Sequence, residues 1–122
     1  MISVLDYGMG NIGSILNMLK WIGVESEVCD DLPSLENVQK LVLPGVGAFD
    51  HAMSRIRELG MFDMLNQKAL VEEIPILGIC LGMQLMTRGS EEGEMEGFGW
   101  IPAEAQRFTE SSSLKIPHMG WN

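Results

Sequence analysis

Short β-prone runs alternate along this chain with stretches of helical periodicity. That order restricts it to a mainly parallel sheet covered by helices, because parallel neighbours need a crossover segment between them. Ile2–Leu5 reads as a first strand, residues 25–29 as a second, and residues 40–43 as a third that breaks at Pro44. Between the first two, Ile12, Ile15, Leu16, Leu19 and Ile22 fall on one helical face, with Asn11 as N-cap and Gly23 as C-cap. Helices are expected around residues 50–58 and 63–73. The wholly apolar run 76–79 then suits a strand at the centre of a parallel sheet, and a helix follows from Met83 to about Thr87. Beyond Ser90 the acidic, glycine-bearing stretch 91–97 reads as a loop, and residues 98–101, 105–109 and 114–116 as short antiparallel strands. The expected fold is α/β: an open, mainly parallel sheet flanked by helices, with short antiparallel strands near the C-terminal end, in one domain without repeat or linker.

The charge balance narrows the chemistry. A formal net charge of −9 over 122 residues, with the basic side chains scattered, argues against nucleic acid and against anionic lipid. No apolar run approaches the roughly 20 residues that span a bilayer, and the start Met1-Ile2-Ser3-Val4-Leu5-Asp6 lacks the basic region of a signal peptide, so a cytoplasmic location is expected. Two cysteines, Cys29 and Cys80, and two histidines, His51 and His118, show no ligand spacing; neither a metal site, a disulfide nor a cofactor is expected.

One segment carries sharp chemical content. Gly78-Ile79-Cys80-Leu81-Gly82 has the form of the Gly-x-nucleophile-x-Gly elbow, with Cys in place of Ser, between an expected strand and an expected helix. A nucleophile at such a turn sits on strained backbone with no room for side chains two residues away, hence the glycines. The helix beginning after it aims N–H groups at the sulfur, which favours the thiolate, and the Leu81 amide is placed as one oxyanion donor. A cysteine of this kind also fills cores, and the pentapeptide alone does not separate the two readings. For Cys29, which lacks the strand–turn–helix context, a buried strand residue is the reading of choice. Two further glycine-bearing turns follow expected strands. In Leu43-Pro44-Gly45-Val46-Gly47-Ala48-Phe49-Asp50 the glycines free the backbone to turn an N–H inward as a second oxyanion donor. In Asp6-Tyr7-Gly8-Met9-Gly10-Asn11 the glycines Gly8, Gly10 and Gly13 match a dinucleotide fingerprint only loosely, and Asp6 suits a phosphate cradle poorly.

Taken with Gly78-Ile79-Cys80-Leu81-Gly82-Met83-Gln84 and Pro117-His118-Met119-Gly120-Trp121-Asn122, these blocks resemble the class I (triad) glutamine amidotransferases, and within them the glutaminase subunits of imidazole glycerol phosphate synthase. The resemblance implies that Cys80 attacks the side-chain amide of glutamine, giving a glutamyl thioester and ammonia. It implies that Gly45, Val46 and Gly47 serve the oxyanion together with Leu81, and that Gln84 helps hold the substrate. It further implies that Asn11, Met119 and Trp121 face a (β/α)8-barrel cyclase or synthase partner, in a heterodimer that receives the ammonia for histidine biosynthesis. Gln84 also reads as an ordinary polar helix residue and Trp121 as a core aromatic. Such enzymes carry a His-x-Glu pair beyond the Pro-His-Met-Gly-Trp-Asn block, to take and return the proton. Neither His51 nor His118 matches that element, so the chain reads as the front part of the domain, truncated before His-x-Glu, and the 122 residues alone are expected to be inactive. Three alternatives stay open: a paralogous amidotransferase supplying ammonia for sugar-nucleotide modification, a non-catalytic docking module, and an unrelated Cys-elbow hydrolase domain.

Overall fold

A computed structural model describes residues 1–108. Four strands, β1 (Ile2–Leu5), β2 (Ser26–Cys29), β3 (Leu41–Leu43) and β4 (Ile76–Gly78), form one sheet in the order β2-β1-β3-β4. Every neighbouring pair is parallel, with Val28 beside Val4, Val4 beside Val42, and Val42 beside Leu77. The helices are α1 (Ile12–Trp21), α2 (Leu32–Glu36), α3 (Phe49–Glu58), α4 (Phe62–Asn66) and α5 (Leu81–Leu85), and α4 runs on into a π-helical stretch, Gln67–Val71.

One sheet face carries the core. Leu5, Leu41, Leu43 and Cys29 meet Leu35 of α2, Phe49, Ala52, Met53 and Ile56 of α3, Leu65 of α4, and Leu81 and Leu85 of α5. The spacing of Phe49, Ala52, Met53 and Ile56 is the i, i+3, i+4, i+7 stripe of a helix with a single apolar face. On the opposite face the row Val28, Val4, Val42, Leu77 is closed at its middle and open at its ends: Val4 is 0% exposed and Leu77 61%. Helix α1 packs on this side against β1 and β2. It buries none of its residues fully, and Ile22, expected on its inner face, is largely exposed. Asn11 does cap α1, accepting from the Ser14 amide, and the chain leaves through Gly23 at φ +81°. There Gly23 N–H bonds Lys20 O and Val24 N–H bonds Leu19 O, a Schellman ending that needs glycine's left-handed backbone.

Several expectations need correction. Helix α2 was not foreseen, although Asp31 and Ser34 bracket it as a capping box with Pro33 in the first turn. The expected helix over 63–73 divides into α4 and the π-helical stretch. There the wider turn carries Lys68 inward, and its ammonium bonds the carbonyls of Glu36 and Val38 and the Glu72 carboxylate. Among the described strands β4 lies at the sheet edge rather than the centre. Residues 98–101 form no strand. Their amides instead satisfy the carbonyls at the end of α5 and just beyond it, Phe98 N–H to Leu85, Gly99 N–H to Thr87 and Ile101 N–H to Met86. Phe62, Phe98 and Trp100 stack in sequence, and the Trp100 indole donates to Asn66 at 2.7 Å. Ala105 makes only an isolated bridge to Ser90, and it is parallel. The expected strand 114–116 lies outside the described residues. No helix among those described is long and apolar enough to cross a membrane.

Lys68 is 2% exposed and ties the π-helical stretch to the end of α2 and to the loop that leads into β3. Replacing it by Met keeps the stem and strips two carbonyls of their donor, a cost of ~1–3 kcal/mol. Urea unfolding of Lys68→Met is expected to show a lower midpoint at unchanged slope; an unshifted midpoint would deny the staple any role in stability.

Candidate functional site

The carboxyl ends of β1, β3 and β4 bring three loops together, as open parallel sheets require. The turn after β4 is the sharpest. Cys80 has φ +54° and ψ −116°, close to the first central position of a type II′ turn, where glycine is the usual occupant. The turn closes by a 2.9 Å bond from Gly82 N–H to Ile79 O, and α5 starts at Leu81, two residues earlier than the sequence suggested. A side chain held in this region costs of order 1–3 kcal/mol, a strain that proteins retain at functional turns. The result is an exposed thiol at the apex, whereas Cys29 is buried, beside the Ser34 hydroxyl, with its thiol pKa pushed up by burial.

The flanking glycines are dictated by contact. A Cβ at Gly78 would stand 2.5 Å from Met86 Sδ and 2.7 Å from Met83 Cα, and one at Gly82 would overlap the Leu43 carbonyl. The elbow therefore lies flush against the end of β3, with Ile79 N–H bonded to Leu43 O at 2.9 Å.

From that strand end runs the second loop, Pro44-Gly45-Val46-Gly47-Ala48. Gly45 is buried, Val46 is exposed, and Gly47 has φ +110°. The structure brings the loop against the elbow through one bond: the Leu81 amide donates to the Gly45 carbonyl at 3.2 Å. The amide singled out in the sequence as an oxyanion donor is thus engaged by the loop itself. In a trans peptide the Val46 N–H points opposite to the Gly45 carbonyl, so in this arrangement it faces away from Leu81.

The third loop, 6–11, backs the second. The Tyr7 hydroxyl donates to Pro44 O at 2.6 Å, and a Cβ at Gly10 would lie 3.2 Å from Pro44 Cβ and 3.3 Å from Gly45 N. Gly8 N–H is taken by Asp6 Oδ1 at 3.1 Å, so that amide is not offered to a phosphate. Tyr7 was not among the sequence candidates; an aromatic beside a glycine turn was the only available signal. Asn11 stands exposed at the far end of the turn. Gln84, half-buried one turn along α5 with its backbone N–H on Cys80 O at 3.2 Å, lines a small cleft of ≈60 Å³ with Ser90, Glu91 and Arg107. His51 is exposed on α3. Met119, Trp121 and His118 lie outside the described residues. A cleft of ≈530 Å³ among Met1, Leu16, Lys20 and residues 23–26 sits at the opposite end of the sheet and holds neither cysteine.

The acidic loop after α5 is tethered by Asp50 of α3, whose carboxylate accepts from the amides of Glu94 and Met95 at 2.9–3.1 Å. The Glu94 and then the Met95 bond hold its pKa below the usual 3.8. Because the ionised form is the one bonded, the tether is complete above 3.8 and is lost as pH falls through the lowered folded value. The Asp50 side-chain carboxyl carbon should therefore titrate by NMR with a midpoint below 3.8; a midpoint at or above 3.8 would contradict the tether.

Comparison with known proteins follows the same lines. The profile of the glutamine amidotransferase class-I family matches residues 3–122. Imidazole glycerol phosphate synthase subunit HisH 2 of Methanococcus maripaludis is 51% identical over 122 residues, covering 100% of this chain and 60% of that protein. The subunit HisH 2 of Pseudomonas aeruginosa is 46% identical with the same coverage. Subunit HisH 1 of Campylobacter jejuni is 46% identical over 123 aligned residues, 100% of this chain and 61% of that one. The chain thus spans about 60% of the length of these relatives. A crystal structure of a glutamine amidotransferase shares the fold, with a TM-score of 0.72 at 24% identity over 87% of this chain and 56% of that one.

Removing the elbow's clearance should be costly. Gly82→Ala drives a methyl into the Leu43 carbonyl, so circular dichroism and urea unfolding should show a loss of at least ~2 kcal/mol. A stable Gly82→Ala protein would mean that the elbow does not lie flush on β3.

Proposed function

The chain belongs to the class-I glutamine amidotransferase family, and from that membership we propose that it carries the nucleophile half of a glutaminase. The observation that supports this most is the exposed Cys80 at φ +54°, beside a loop whose carbonyl occupies the Leu81 amide. In the proposed reaction the Cys80 thiolate attacks the side-chain amide carbon of glutamine. The tetrahedral oxyanion collapses as the amide nitrogen accepts a proton and leaves as ammonia, forming a glutamyl thioester. Water then cleaves the thioester to glutamate and restores the thiol. Gln84 is proposed to hold the substrate from the next turn of α5.

Stabilising the oxyanion requires the Gly45–Val46 peptide to turn. Its carbonyl must leave the Leu81 N–H, and the Val46 N–H then swings toward the same point, so two donors appear together. That rotation changes the ψ of Gly45, where glycine tolerates it, and the φ of the exposed Val46. One such donor contributes about 10²–10³ in kcat in comparable acyl-transfer sites.

The relatives named as synthase subunits support a partner for the ammonia: a (β/α)8-barrel synthase, docked over the carboxyl ends of the strands near Asn11 and, in this proposal, Met119 and Trp121. The product would be imidazole glycerol phosphate, made in the cytoplasm. The proton-transferring His and its acidic partner are proposed to come from residues other than these 122, since His51 stands exposed on α3 and His118 belongs to the docking block; the 122 residues alone are then expected not to turn over.

In the intact protein bound to its synthase partner, Cys80→Ala should abolish synthesis from glutamine and leave synthesis from added ammonia unchanged. Loss of both activities, or retention of both, would contradict the division of labour.

A further inference from the structure

We infer that Tyr7 is a positioning residue for the oxyanion loop: its hydroxyl clamps the Pro44–Gly45 peptide, so that the turn which arms the site is confined to the Gly45–Val46 peptide. This rests on the glutaminase assignment above.

Two consecutive carbonyls of the loop are held, and by unlike donors. Pro44 O receives a buried 2.6 Å bond from the phenol, and Gly45 O receives a 3.2 Å bond from the Leu81 amide. The first donor takes no part in the chemistry, whereas the second is an amide that the oxyanion needs. A short O–H···O bond in a dry environment is the stronger of the two. It stays made while the longer one opens. Tyr7 is 1% exposed and its burial raises the phenol well above its ordinary ionisation range, so it remains a donor at any working pH.

Packing points the same way. A Cβ on Gly45 would fall 2.6 Å from Tyr7 Oη, 2.9 Å from Gly82 N and 3.0 Å from Leu81 Cβ, so the phenol occupies the space that a side chain at Gly45 would need. Pro44, with its own φ fixed by the ring, completes a rigid segment up to the Gly45 Cα. Rotation is left to the next peptide, whose turn changes the ψ of Gly45 and the φ of the exposed Val46.

The test is Tyr7→Phe in the intact protein with its synthase partner, a volume-conserving change that removes only the hydroxyl. The expected result has four parts. The kcat for glutamine hydrolysis falls about tenfold and KM for glutamine stays within about twofold, the signature of an interaction realised only in the transition state. Alkylation of Cys80 by iodoacetamide, which develops no oxyanion, keeps its rate. Hydrogen exchange of the Leu81 amide speeds up, because the loop that covers it is no longer anchored. Unchanged kcat together with unchanged exchange would overturn the clamp. So would a collapse of the unfolding midpoint that carries kcat, KM and alkylation with it, which would make Tyr7 only a core residue. If the wild-type complex hydrolyses no glutamine, the glutaminase assignment fails and the clamp stands or falls on the exchange measurement alone.

Discussion

Everything at this site depends on one close approach: the backbone of the elbow resting on the last carbonyl of β3. Ile79 N–H bonds Leu43 O, and Gly82 sits where any side chain would overlap that same carbonyl group. Because the approach is backbone to backbone, it fixes the thiol at the apex relative to the loop leaving β3, without relying on flexible side chains. The strain at Cys80 is sustained by α5 and the sheet, whose packing through Leu81 and Leu85 into the core leaves the turn no room to relax.

Downstream of that contact the site is built mainly from main-chain groups. Leu43, Pro44 and Gly45 present three successive carbonyls, bonded by Ile79 N–H, Tyr7 Oη–H and Leu81 N–H. Only the last of these donors is wanted elsewhere during the proposed reaction. The resting arrangement therefore keeps the amide of buried Leu81 satisfied, as a buried donor must be, and offers it to substrate only at the expense of a rotation. The aromatic stack of Phe62, Phe98 and Trp100 and the Asp50 tether hold the chain beyond α5 in place, so that the short helix carrying Leu81 and Gln84 has its carbonyl end closed.

Much of this was legible in the residues, and the limits have physical causes. The strands and α1, α3 and α5 follow from apolar periodicity, and the elbow follows from glycines whose necessity is steric and local. Helix α2 is five residues long, too short for periodicity, although Asp31-Leu32-Pro33-Ser34 did carry its cap. The π-helical turn could not be read because its cause is tertiary: Lys68 reaches carbonyls some 30 residues earlier. Residues 98–101 have strand-like composition but are claimed by the open carbonyls of α5, a demand visible only once the helix end is placed. The Tyr7–Pro44 bond joins positions 37 apart, which no pattern along the chain reveals. The sequence likewise places Leu81 N–H correctly at the elbow but is silent on which acceptor holds it.

The central claim is that Cys80 at the elbow forms a covalent glutamyl intermediate. The most direct measurement is mass spectrometry of the intact protein with its partner, acid-quenched during turnover of glutamine and digested. A glutamyl adduct on the peptide containing Cys80, discharged by hydroxylamine as a thioester must be, is the predicted result. Steady turnover with no adduct on that peptide, or an adduct on Cys29, would contradict it.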